Sequence, residues 1–370
     1  MNPRGPKVVA LGGGHGLYAS LSALRRVTDA LTAVVTVADD GGSSGRLRRE
    51  LGVMPPGDLR MALAALCGDD EWGQTWRDVV QHRFRSEGAL HDHAVGNLLI
   101  VALWELFGQS APEAVPNAPT GPSAAGTPAT TATGAGGAPA GAASVGAVPF
   151  GGPSGGGAAV GGPGVVAGLD WVGRLLGAHG RVLPMASVPL DIVADVRGGD
   201  PACPGEVVKV RGQVACAKTP GTVEGISLIP SDPPACPEAL AAIEDADWVV
   251  FGPGSWFTSV LPHLKVPELA RALRRTSARR AVALNLAPQP GETDDFSPQN
   301  HLEVLQAHAP DLQIDVVLAD RGVVDEPDAL EKAVGDLGGR LVLADVAAAD
   351  GSPRHDPALL AQAFVQIFAD

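Results

Sequence analysis

Short apolar runs alternate with stretches of helical apolar spacing along most of this chain. Residues 8–11 (VVAL) form a continuous apolar run that predicts a buried strand, and Leu17, Leu21 and Leu24 follow at helical spacing. Residues 32–38 (TAVVTVA) predict a second strand, so the chain opens on a strand–helix–strand unit of about 30 residues. A loop rich in Gly and Ser is expected over residues 39–45. Asp58 is read as the N-cap of a helix over residues 59–67, and residues 76–84 and 94–107 predict further helices.

The pattern then stops. Residues 110–167 are almost entirely Ala, Gly, Pro, Thr, Ser and Val, with Glu113 as the one charge. No period there can bury a face, which predicts disorder. The sequence on either side is helical in pattern (LWELFG before, LDWVGRLLGAHGRVLP after), so the tract is expected to be an insertion within one α/β domain spanning residues 1–370. Closing such a loop costs only about 2 kcal/mol more than closing one a tenth as long.

After the insertion, residues 188–196, 206–215 and 222–229 predict strands, a small β excursion from the main sheet. Strand–helix alternation then returns. Strands are expected at 248–251, 281–286, 316–318 and 341–344, with helices over 267–275, after Ser297 and Pro298, and from Asp356 and Pro357. The expected fold class is α/β, a Rossmann-like doubly wound, mostly parallel sheet covered on both faces.

Composition narrows the function. The formal net charge of -14 disfavours binding to nucleic acid. The four cysteines have no C-x-x-C spacing, which argues against a disulfide framework or zinc site and suits a reducing cytosol. Neither apolar run, 8–11 or 96–107, is long enough to span a bilayer, and no secretion signal is expected.

The candidate chemistry sits where strands end. Gly12, Gly13, Gly14, His15 and Gly16 form a glycine turn between strand and helix, and Gly14, Gly16 and Ala19 fit the G-x-G-x-x-G/A pattern that brings backbone N–H groups to a phosphate. Asp39 and Asp40 end the second strand, where a carboxylate bonds ribose hydroxyls, holds a metal through oxygen, or starts a turn. Gly41, Gly42, Ser43 and Ser44 offer donors for an anion, with Arg46 beside them as added charge or as part of a solvated helix face. Asp58, by default a cap, and Arg60 are candidate ligand contacts; Arg60 stands in the first turn of its helix, against the dipole, which an anionic ligand would explain.

His91, Asp92 and His93 carry only a weak metal signal, and Asn97 reads as a polar ligand contact or as packing. Gly252, Gly254, Ser255, Thr258 and Ser259 repeat the logic of the first turn as a second anion or sugar site. Asn285, Gln289, Glu292 and Thr293 follow another strand as groups that read a sugar or base, with Phe296 as a stacking ring or a core residue. No nucleophile–base pair, Walker lysine or zinc set stands out, so no catalytic residue, resident metal or cofactor is expected.

In that order, GGGHGL, VTVADDGGSSGRLRRELG, PPGDLR, HAVGNLL, GRVLP, GPGSWFTSVLP and QPGETDDFS resemble the bacterial gluconeogenesis factor family, over nearly all of the chain outside the insertion. That family is similar in fold to the 2-phospho-L-lactate transferases. The resemblance implies a cytoplasmic, UDP-N-acetylglucosamine-binding regulatory protein, tied to cell shape and peptidoglycan synthesis during gluconeogenic growth, with no settled catalytic activity. Homo-oligomers and cell-wall regulatory partners are compatible with it. The alternative is a metal-dependent transferase of the 2-phospho-L-lactate transferase type, with Asp39 and Asp40 on a divalent ion. His15 stands where Thr is common in the family's GGGTGL, and Phe296 where Tyr is frequent, so stacking survives there but a phenol hydrogen bond does not.

Overall fold

A computed structural model describes residues 5–108, 163–203, 205–289, 291–294 and 296–369. The element order is β1 (Val8–Gly12), α1 (Gly14–Leu24), β2 (Leu31–Val35), α2 (Gly42–Leu51), α3 (Gly57–Ala65), α4 (Glu71–Gln81), α5 (Val95–Gly108), α6 (Pro163–Leu176) and β3 (Arg181–Pro184). There follow β4 (Asp191–Arg197), β5 (Val207–Arg211), α7 (Gln213–Cys216), β6 (Thr222–Ile229), α8 (Pro237–Glu244), β7 (Trp248–Phe251), α9 (Pro267–Arg275), β8 (Arg279–Ala283), α10 (Pro298–His308), β9 (Val316–Asp320), α11 (Pro327–Asp336), β10 (Arg340–Ala344) and α12 (Pro357–Ala369). Between β7 and α9 the chain makes a π-helical turn, Trp256–Val260, and a 3-10 turn, Leu261–Lys265.

Seven strands form one parallel sheet in the order β10-β9-β8-β7-β1-β2-β3. The chain winds outward from β1 to β3, returns to β7 beside β1, and winds outward again to β10. The reversal between β1 and β7 is the topological switch point, outside whose carboxyl ends ligands bind in folds of this class. β1, β7 and β9 are buried along their whole lengths, as the continuous apolar runs require of strands covered on both faces. Leu17, Leu21 and Leu24 bury the inner stripe of α1.

β5, β4 and β6 form a separate antiparallel sheet with β4 in the middle. Its middle expectation, a strand over 206–215, breaks into β5 and the short α7, and the strand expected over 188–196 starts later, at Asp191.

Other expectations shift for physical reasons. β2 ends at Val35 and not at residue 38, because its partners end there: Gly12 of β1 and Pro184 of β3 both pair with Val35. The loop expected over 39–45 is already helix from Gly42. Asp58 is not the N-cap of α3: Pro56 is, and Asp58 lies in the first turn of that helix. The helix expected over 76–84 starts earlier, where Asp70 accepts a hydrogen bond from the Gly73 N–H as N-cap of α4. β3, α8 and α11 were not foreseen. Of the tract expected to be disordered, residues 110–162 lie outside the described residues, and 163–167 belong to α6. α5 and α6, on either side of it, pack together, with the Trp104 indole N–H donating to Val165 O at 3.0 Å. Among the described residues no helix is long and apolar enough to cross a membrane.

Candidate functional site

The turn from β1 into α1 lies directly against the turn after β7. A Cβ on Gly16 would come within 2.1 Å of Pro253 O and 2.3 Å of Gly254 Cα, so only glycine allows this approach. Ser20 of α1 fixes the contact by donating to Gly252 O at 2.7 Å. α1 has Gly13 as N-cap and no side-chain cap. The Gly14 N–H donates to Asp58, while among the described residues the N–H groups of His15 and Gly16 make no hydrogen bond. His15 itself is exposed, and Gly12 is buried at the end of β1.

α2 starts the same way. Its N-cap, Gly41, also lacks a capping side chain, and the first N–H groups, of Gly42, Ser43 and Ser44, have no partner among the described residues. A helix start leaves such donors to be met by side chain, water or ligand. Asp39 tethers the turn by accepting from the Gly41 N–H at 2.9 Å, and it also accepts from Ser44. Ser44 Oγ in turn accepts from the Gly57 N–H at 3.0 Å, bringing the start of α3 to the same place.

Beneath these turns lies a buried polar layer. Asp58 accepts from Thr36 Oγ1 at 2.8 Å. Burial, and then the neighbouring Asp39 carboxylate, push its carboxyl up to about 6; burial raises Asp39 as well. Arg60 is buried and drawn down to about 10 by that burial and by Arg83, and it donates to Asn97 Oδ1 at 3.0 Å. Asn97 Nδ2 donates to Ser43 Oγ at 3.1 Å, and Ser43 Oγ lies 3.0 Å from His93 Nδ1. Arg60 and Asn97 therefore act as a chain that holds the start of α2 in place.

Several expected contacts point elsewhere. Asp40 accepts from the Val214 N–H at 3.0 Å and so holds the start of α7, the short helix between β5 and β6. Arg46 donates to His91 O at 2.6 Å. The turn after β7 is not a second open anion site, because the chain's own Glu292 fills it. Glu292 accepts from Ser255 Oγ at 2.6 and 2.5 Å, from Thr258 Oγ1 at 2.9 Å and from the Phe257 N–H at 3.3 Å. Burial raises its carboxyl. Thr258 and Ser259 are buried.

Asn285 spans Gly254, donating to its O at 2.9 Å and accepting from its N–H at 2.8 Å. Thr293 closes the following loop by accepting from the Gln289 N–H at 2.8 Å. Phe296 meets Phe257 and His301 edge-on, at 6.1 and 5.3 Å between ring centres.

Among the described residues no group of three or more His, Cys, Asp and Glu is placed to hold a metal ion. Asp39 and Asp40 do not fit the divalent ion that the alternative reading requires: their carboxylates turn to different backbone partners. The sequence reading missed Thr36 and His93 as parts of the layer, and Ser20 as the link between the two turns. His93 had a signal, since it lies in the motif over residues 91–97 that reads as a weak metal site and as a loop approaching the ligand or packing; Ser20 and Thr36 had none, because their partners lie far along the chain.

A doubly wound α/β protein with two glycine-started helices at its switch point is thus defined. The model of the family described as 2-phospho-L-lactate transferase CofD matches residues 8–120 and 158–347. A Mycobacterium tuberculosis gluconeogenesis-factor relative is 48% identical over 96% of this chain and 88% of its own length. One from Mycobacterium leprae is 46% identical over 97% and 85%. The Gluconeogenesis factor of Halalkalibacterium halodurans is 31% identical over 81% of this chain and 73% of its own. A crystal structure of a UPF0052 family protein from Bacillus halodurans superposes with a TM-score of 0.73 at 26% identity, covering 98% of this chain and 99% of that one. The chain belongs to the gluconeogenesis-factor family, related in fold to the CofD transferases.

Proposed function

We propose that this protein binds a UDP-sugar, UDP-N-acetylglucosamine in the first instance, and acts as a regulatory sensor of it in the cytoplasm, linking cell shape and wall synthesis to gluconeogenic growth. The observation that carries the reading is the pair of uncapped helix starts. α1 and α2 both begin on a glycine with no side-chain cap, at the carboxyl edge beside the switch point. Their unpaired N–H groups suit the oxygens of a diphosphate. The acidic groups around them are engaged by the chain's own donors, which supports a binder over a catalyst.

Ligand that binds only the folded state raises the melting temperature, by the equivalent of about 2.7 kcal/mol at a hundredfold excess over Kd. The test is thermal unfolding with UDP-N-acetylglucosamine, NAD and Mg2+ added separately. A concentration-dependent rise with UDP-N-acetylglucosamine is expected. A rise with NAD and none with the UDP-sugar would overturn the reading.

The matched family description favours a second reading, a transferase of the 2-phospho-L-lactate type. Turnover of a phospho-lactyl donor by the parent chain would favour it, and no turnover with or without Mg2+ would overturn it.

A further inference from the structure

A second cleft opens beside the switch point, between the loops that follow β8 and β9. Its volume is about 440 Å3, within the range of small-molecule sites, and its walls include Asn285, Phe296, Gln299, His301, Asp325 and Glu326. Two of these side chains hold a buried polar atom with no partner: Nε2 of His301 and Oε1 of Gln299. Unpaired buried polar groups are uncommon and call for an explanation.

The chemistry of the two atoms is fixed by their surroundings. His301 is 4% exposed. Its Nδ1 lies 2.9 Å from Ser297 O, and a carbonyl oxygen only accepts, so Nδ1 carries the proton. Burial lowers the pKa of the ring, which stays neutral, so Nε2 presents a lone pair. Gln299 Oε1 is an acceptor too, and the carboxylates of Asp325 and Glu326 are acceptors at the rim. A phosphate is repelled by such walls, whereas a group rich in O–H or N–H donors is matched by them. Phe296, with Leu284 and Pro288, supplies an apolar platform for the C–H face of a ring. Asn285 joins this cleft to the switch point, since it lines the cleft and also holds the Gly254 backbone, which itself touches Gly16.

We infer that this cleft is the sugar subsite: a neutral, polyhydroxylated ring lies on Phe296 and, once a small side-chain shift opens the two buried acceptors to the cleft, donates hydroxyl hydrogens to His301 Nε2 and Gln299 Oε1, while the attached diphosphate reaches the glycine-started helices. The inference rests on the nucleotide-sugar reading above and deepens it by assigning the discriminating residues. The indole N–H of Trp256, fully buried and edge-on to His301 at 5.3 Å, is also unpartnered, so an enclosed water shared by the two rings is the competing account.

The test is calorimetric titration of the full chain with UDP-N-acetylglucosamine and with UDP, in the parent, His301→Phe and Gln299→Met. Each variant keeps side-chain bulk and removes one acceptor. The parent is expected to prefer the UDP-sugar, and each variant to weaken it about fivefold, the worth of one hydrogen bond, with UDP unchanged. A preference retained in both variants would overturn the subsite and leave the nucleotide-sugar reading standing; equal weakening of both ligands would also overturn it, as a structural effect. A parent that binds neither ligand overturns both. Should His301→Phe fold poorly, Gln299→Met alone decides, since it lies in the partly exposed first turn of α10.

Discussion

Asp58 shows how much one residue carries in this site. Its carboxyl, 6% exposed, sits under the turn of α1 and is raised from 3.8 to about 6. A carboxyl with a raised folded-state pKa holds its proton more tightly folded than unfolded. Its contribution to stability is therefore full below about pH 4 and falls away as pH climbs through about 6, a loss of about 3 kcal/mol. His263 and His355, both drawn down to about 4 by burial, act with the opposite sign, adding stability as pH rises from about 4 to 6.5. The informative quantity is thus a difference: urea unfolding of Asp58→Asn against the parent at pH 4, 5, 6 and 7. The gap is expected to move in the variant's favour by about 2 kcal/mol over that range, and a gap independent of pH would show that Asp58 does not titrate there. Gly16 makes a second residue-scale case. Gly16→Ala places a methyl carbon 2.1 Å from Pro253 O, so the two turns must part. About 1–3 kcal/mol of lost stability is expected, together with loss of the thermal shift with UDP-N-acetylglucosamine. Parent-like melting and binding would contradict the close approach.

Elements whose ends are marked by local chemistry were legible, and those set by distant partners were not. Ser297 and Pro298 announce α10, and the structure completes the signal with a capping box, Ser297 Oγ accepting from the Asn300 N–H and Asn300 Oδ1 from the Ser297 N–H. Ser297→Ala is expected to cost about 1 kcal/mol in a denaturant titration, and no change would mean that the box is idle. Asp58 gives the same local signal, an acid before an apolar helix, yet its side chain is claimed by Thr36 and Gly14. β3 is four residues without alternation, and becomes a strand only because β2 lies beside it. In the site, the glycine turn after β1 was readable. That the matching turn after β7 is closed by Glu292 was not, since nothing near Ser255 announces a carboxylate supplied by the loop after β8.

At the scale of the whole molecule, strand–helix alternation was enough to anticipate a doubly wound sheet, while the strand order, and with it the switch point, emerges only from pairing. The same scale decides what residues 110–162 contribute. The helices on either side meet without them: a Cβ on Gly164 would lie 3.0 Å from the Gly108 N, and the rings of Phe107 and Trp171 stack at 6.3 Å. A short linker in place of residues 110–162 can therefore span the gap between Gly108 and Pro163 while α5 and α6 keep their packing. If the tract behaves as the aperiodic chain its composition describes, cutting the loop about tenfold lowers its closure entropy by up to about 2 kcal/mol. Replacing residues 110–162 with a short Gly/Ser linker is then expected to leave the circular dichroism spectrum and UDP-N-acetylglucosamine binding unchanged, and to hold or raise the melting temperature. A fall in melting temperature would show that the tract makes stabilising contacts of its own. Loss of binding at an unchanged melting temperature would instead assign it a part in holding the ligand.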